Sequence, residues 1–380
     1  MSATSDVFKF SDVASNYIER ISPGPGDEMH YIGLEHISPD SLYVKEWGSK
    51  TELIGEKIEM RKGDILFARR NAYLKRVGIA PFDGIFSAHG LVLRPNEKVI
   101  SHDLFPFLIK SDVFMKRAIN ISVGSLSPTV NWKDLKNESF TIPDLCDQKK
   151  YSDILWKFED LIEFYRNRII IADELIKSRF IEMFGNLNTN SKHWEMKTIS
   201  DVAKVPLHYG STASAIDYDS DVRYVRITDI GSDGKLNDDF KSPSEYNSRY
   251  LLNKGDILFA RSGSVGVTYL FDEKYKSIFA GYLIRFVPNT EKIDPGFAYQ
   301  YTKSEYCQGI LTGSKRGGVQ KNVNAKQLSA IPIPVPPMNL QKEFTDFVRR
   351  VDKSKFELQQ HIENTKKLQK TIINSIFRDV

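Results

Sequence analysis

The sequence predicts an α+β chain: two pseudo-symmetric mixed α/β bodies, each followed by a long helix, with the two helices paired as a coiled coil. Three observations carry this reading. A segment recurs half a chain later, each copy closes on a Pro-containing extended stretch, and an apolar stripe at helical spacing then runs for nearly forty residues.

The repeat comes first because it sets the architecture. Lys62–Arg69 (KGDILFAR) returns unchanged as Lys254–Arg261, a shift of 192. Ser11–Ala14 matches Ser200–Ala203, Tyr31-Ile32 matches Tyr224-Val225, and Arg94-Pro95-Asn96 matches Val287-Pro288-Asn289 at nearly the same shift. The division this predicts is a first body over 1–147, a helix over 148–185, a polar linker over 186–193, a second body over 194–337 and a helix over 338–380.

The helices must begin after Pro143 and Pro337, because proline fixes φ and has no N–H to give to a helix interior. In the first, Tyr151, Ile154/Leu155, Phe158, Leu161/Ile162, Tyr165, Ile169, Ala172, Leu175/Ile176 and Met183 step by three and four. Gly185 then stands where a left-handed residue ends a helix. The second stripe uses Phe344, Phe347/Val348, Val351, Leu358, Ile362, Leu368, Ile372 and Ile376, interrupted by Lys355 and Thr365. From Gln148 to Phe184 one helix spans about 55 Å at 1.5 Å per residue, longer than a single domain core, so each stripe needs the other as partner. Upstream of the helices, short apolar runs broken by Gly, Pro, Asn and Asp read as strands, and both copies of DILFAR as strands ending on an arginine.

Composition excludes several classes. The chain of 380 residues is 41% hydrophobic and 27% charged, which is globular. Its densest apolar run, Ile169–Ala172, is fenced by Arg166, Arg168 and Asp173, so no membrane span is expected. The N-terminus lacks the features of an export signal, and the two cysteines, Cys146 and Cys307, form no CxxC pair. A reduced cytoplasmic setting with two buried thiols is the expectation.

No phosphate loop, dinucleotide fingerprint or [DN]-P-P-[FYW] tetrad is present, so neither a cofactor nor catalysis is expected. Asp272-Glu273-Lys274 has the acidic-x-Lys spacing of metal-dependent nucleases but no partnering acid, and Asp217/Asp219/Asp221 opens like a calcium loop that lacks its glycine and terminal glutamate. No metal site is expected.

Net charge is only +4, yet basic residues cluster locally. Residues 61–76 hold Arg61, Lys62, Arg69, Arg70, Lys75 and Arg76 against Asp64 alone, and residues 303–326 hold Lys303, Lys315, Arg316, Lys321 and Lys326 against Glu305. Arg and Lys neutralise phosphate, while Arg, Asn and Gln offer bidentate contacts to purine edges. The candidate DNA-binding residues are therefore Arg69, Arg70, Asn71, Lys75 and Arg76 in the first half, and Arg261, Ser262, Lys315, Arg316, Gln320, Lys321 and Asn322 in the second. The first-half loop matching 312–322 is Gly124–Asn131, polar but not basic. The alternative is a coiled-coil adaptor that binds other proteins and reads no DNA.

The duplicated GDIL strands, the Ile-Pro and Pro-Pro approaches with Gln148 and Gln341 opening the helices, and the helix ends near Phe184-Gly185 and Phe377 resemble the specificity subunit of type I restriction-modification systems. The resemblance covers essentially the whole chain. It implies two target-recognition domains on an antiparallel helix pair, each reading one half of a split double-stranded DNA target. It also implies docking of methyltransferase (modification) subunits on the helices, with a motor-nuclease (restriction) subunit joining that complex. One departure is that Asp147 precedes Gln148 whereas Leu340 precedes Gln341, which leaves open how the second helix is capped.

Overall fold

A computed structural model describes residues 5–23, 30–48, 55–231, 233–263, 265–313 and 322–378. The chain divides into two compact units, Met1–Ile169 with Phe356–Val380, and Ile170–Lys355. Both long helices, α1 (Leu145–Phe184) and α2 (Met338–Ile376), are cut by this division, so each unit holds half of each.

In the first unit the central sheet comprises β1 (Ala14–Tyr17), β2 (Ile65–Phe67), β3 (Val77–Ile79) and β4 (Leu91–Pro95), antiparallel in the order β1-β4-β2-β3. The second unit repeats it with β5 (His208–Tyr209), β6 (Ile257–Ala260), β7 (Thr268–Leu270) and β8 (Leu283–Phe286), in the order β5-β8-β6-β7. Ile65, Phe67 and Leu93 point into one core with Phe10, Phe105, Phe114 and Phe140, while Leu66 and Val92 enter a second with Ile32, Met60 and Phe86. This alternation is the period of two expected of a sheet covered on both faces, and it explains why Ile65–Ala68 reads as continuously apolar. The Asp beside each central strand is buried and paired: Asp64 takes two hydrogen bonds from Arg94, at 2.7 and 2.8 Å, and Asp256 lies 2.6 Å from Arg285.

Each unit closes with a strand pair leading into its helix, Ser5–Lys9 with Ser139–Pro143 and Met196–Thr198 with Pro332–Pro334. Both helix entries are then fixed by the same device. Buried Gln148 accepts from Ser101 N–H at 2.6 Å and donates to the carbonyls of Val99 and Pro143. Buried Gln341 accepts from Asp294 N–H at 2.8 Å and donates to Pro336 O at 2.7 Å, which settles the entry of α2 without an acid at position 340. Gln341→Ala leaves a partly buried N–H and a buried carbonyl unpaired, so a loss of about 1–3 kcal/mol is expected in chemical denaturation. At its far end α1 stops on Gly185, whose φ of +77° is the left-handed cap anticipated from sequence.

The helices run antiparallel within each unit. In the first, Gln369 bonds Glu159 and Leu155 O, and His361 stacks on Tyr165. In the second, Phe180 and Phe184 each pack 5.4 Å from Phe344, Arg179 pairs with Glu343 at 3.0 Å and Lys355 with Asp173. The buried face departs from the stripe read in the sequence. Leu155, Ile162 and Ile176 are buried as expected, but Phe180, outside the stripe, is buried too, and Glu159 and Glu163 lie among them. Ile154, Leu161 and Leu175 are exposed on α1, as is Leu368 on α2. Cys307 is buried, whereas Cys146 is exposed, contrary to expectation, because it sits on the outer side of the first turn of α1.

Candidate nucleic-acid interface

Three chain segments meet at one edge of each unit, where the two inner strands of its central sheet end. In the first unit they are the segment leaving β2 at Arg69-Arg70-Asn71, the turn Ala88–Gly90 entering β4, and the loop Val123–Val130. Arg69 O accepts from Val130 N–H at 3.0 Å, Arg70 N–H donates to His89 O at 3.3 Å, and Asn71 N–H donates to Pro128 O at 2.7 Å. Asn71 has φ +56°, a left-handed conformation that asparagine tolerates better than most residues, and this turns the chain sharply after the two arginines.

The side chains follow from that frame. Arg70 is exposed and donates from Nη2 to Ser127 Oγ at 3.0 Å. Arg69 is half-buried: Nη2 donates to Ala88 O at 3.3 Å, and Nε is buried without a hydrogen-bond partner, as is Asn71 Oδ1. Burial, and then the charge of Arg20, lowers the Arg69 pKa from its ordinary value. His89, exposed on the adjacent turn, is also held below the usual imidazole range, by partial burial and by the charges of Arg70, Arg69 and Lys57. The edge is thus a local concentration of positive charge with unspent donors and acceptors.

The other two first-half candidates are directed elsewhere. Lys75 Nζ lies 3.6 Å from Asp112, and Arg76 donates to Leu34 O at 3.1 Å.

The second unit builds the same edge. Arg261 O accepts from Val323 N–H at 2.8 Å, Arg261 N–H donates to Tyr282 O at 3.2 Å, and Ser262 bridges Asn322 as Arg70 bridges Thr129. Arg261, Ser262 and Asn322, three of the second-half candidates, therefore come together here, with Arg261 Nε 3.4 Å from Asn322 Oδ1. The guanidinium also lies 4.9 Å from the centre of the Tyr209 ring, a cation–π contact that holds it in place. Lys315, Arg316, Gln320 and Lys321 lie outside the described residues.

Several residues at these edges escaped the sequence reading: His89, Leu126 and Ser127 in the first unit, Tyr209 and Tyr282 in the second. A signal existed for one pair, since His89 and Tyr282 are related by the repeat shift of 193.

The other acidic motifs are engaged in the fold. Asp272 pairs with Lys254 and Glu273 accepts from Tyr269. Asp217, Asp219 and Asp221 each take a different partner, Lys241, Ser242 and Lys276, rather than converging.

A family model for the type I restriction modification DNA specificity domain matches this chain twice, over residues 26–172 and 191–367. The chain belongs to that family. As a type I specificity protein it serves in recognition of the DNA target, and the twice-built edge is where its two copies carry matching arginines. Among relatives, it is 24% identical over 378 residues to a putative type I restriction enzyme MjaX specificity subunit of Methanocaldococcus jannaschii, covering 90% of this chain and 85% of that one. It is 29% identical over 152 residues to the EcoBI specificity subunit of Escherichia coli, 39% of this chain and 31% of that one. Its fold is similar to the crystal structure of a type I restriction-modification S subunit from M. genitalium, with TM-score 0.58 at 15% identity, covering 100% and 97% of the two chains. No helix among the described residues of this specificity protein is long and apolar enough to cross a membrane.

Proposed function

We propose that the chain reads a bipartite double-stranded DNA target, one half through each three-segment edge, and performs no chemistry itself. The observation that carries this is the duplication of the edge: in both units the carbonyl of an arginine leaving the central strand accepts from a valine N–H, and the next residue bridges the same loop, while the neighbouring side chains differ. A shared scaffold with different side chains fits two unlike half-sites separated by unread bases. Arg69, Arg70 and Asn71 are assigned to one half, and Arg261, Ser262 and Asn322, with Lys315, Arg316, Gln320 and Lys321, to the other. In this assignment residues 1–147 and 194–337 are the target-recognition domains, and the helices over 148–185 and 338–380 dock modification subunits, on which a restriction subunit assembles. Exposed apolar side chains on α1 support the docking: Ile154, Leu161 and Phe164 in the first unit, Ile171, Leu175 and Ile181 in the second.

Sequencing the methylome of the host with and without the gene tests this reading. The expected result is a split adenine-methylated motif that disappears with the gene. An unchanged methylome, or a lost motif without an unread spacer, overturns it.

A further inference from the structure

Beside Arg70 the loop Val123–Thr129 is closed by a reciprocal pair of backbone bonds, Val123 N–H to Thr129 O at 3.1 Å and Thr129 N–H to Val123 O at 3.0 Å. It is pinned further by Thr129 Oγ1 to Ser127 O at 3.0 Å, by Arg70 to Ser127, and by Asn71 N–H to Pro128 O. Gly124, at φ +113°, makes the bend that a side chain would strain. At the tip of this anchored loop sits Leu126, 96% exposed, the most exposed of the large apolar side chains among the described residues. Val123, also exposed, stands at its base.

A leucine held in water by a braced backbone, next to guanidiniums suited to phosphate, is an apolar contact formed in advance of its partner. DNA offers one apolar group that carries sequence information in the major groove, the C5 methyl of thymine. We infer that Leu126 is a specificity-determining residue of the first unit, packing on a thymine methyl in the half-site that Arg69 and Arg70 anchor. The inference rests on the DNA-reading function proposed above. It also gives a role to a loop whose sequence shows no basic residue: there, apolar contact takes the place of charge.

The test uses the full chain with its modification subunits. Its target is first selected from a randomised duplex pool, and each thymine of the selected site is then replaced in turn by deoxyuridine, which lacks only the methyl. One replacement is expected to weaken wild-type binding about fourfold, the worth of one buried methyl group. Leu126→Ala, which empties no core, is expected to bind the thymine and deoxyuridine duplexes equally. The inference is overturned if wild type ignores every replacement, if Leu126→Ala keeps the discrimination, or if the variant loses only assembly with the modification subunits. Leu126→Ala losing the same affinity on both duplexes while the wild type is indifferent marks an intercalating wedge and also overturns it. If no sequence is selected from the pool at all, the DNA-reading function itself fails.

Discussion

Replacing Glu159 by alanine is expected to destabilise the first unit by about 3–5 kcal/mol, the cost of breaking a buried charged network from one side. The carboxylate is 1% exposed, accepts from Leu42 N–H at 2.8 Å and from Gln369 Nε2 at 3.0 Å, and lies 3.9 Å from Lys110 Nζ. Burial already lowers the Lys110 pKa, and the Glu159 charge opposes that fall. Without it, a desolvated ammonium, a backbone N–H and an amide lose their partner together. Neighbouring Glu163 shows the balance from the acid side. Burial works against its charged form, yet hydrogen bonds from Lys45, Arg166 and Ser41 prevail and lower its pKa. Urea denaturation should show a lower midpoint with an unchanged slope. Glu159→Gln, which keeps an acceptor for Leu42, should lose less. A loss for the alanine variant no larger than about 0.5 kcal/mol, the range of ordinary surface changes, would contradict this account.

DNA affinity is expected to fall about 10³-fold between 50 and 200 mM salt, the lower end for proteins that neutralise about six phosphates. Arg69, Arg70, Arg261, Lys315, Arg316 and Lys321 are the side chains assigned to those contacts. Anisotropy titrations across that range give the log–log slope directly. Arg261→Ala should make the slope shallower by about 1 if the side chain meets phosphate, and should instead cost about 1–3 kcal/mol with relaxed base preference if it is bidentate to guanine. A slope near zero for the wild type removes DNA as the partner.

The outline of the fold was legible because it depends on local and repeated signals. The recurring KGDILFAR located both central strands, Pro143 and Pro337 set both helix starts, and Gly185 marked a helix end. The arginines at the paired edges were legible for the same reason, since they close an identical eight-residue match. What sequence could not reveal is where side chains find distant partners. Lys75 and Arg76 look like part of the basic run, but Asp112 and Leu34 O draw them elsewhere. Glu159 is absent from the apolar stripe read in the sequence, because its partners Leu42 and Gln369 lie 117 and 210 residues away. Leu126 gave no signal, because a leucine in a polar loop reads as an anchor to the core until the exposure of its side chain is seen.

The counter-ions of Asp64 and Asp256 have one more consequence. By strand register Val92 matches Arg285 and Arg94 matches Val287, so the guanidinium stands two residues apart in the two copies and still reaches the same carboxylate from the same side of the sheet. A natural or engineered recombinant that crosses between the copies within this tripeptide inherits either two arginines or none around one sequestered acid. Productive shuffling of these modules is thereby steered to junctions outside Val92–Arg94 and Arg285–Val287, however similar the flanking sequences are.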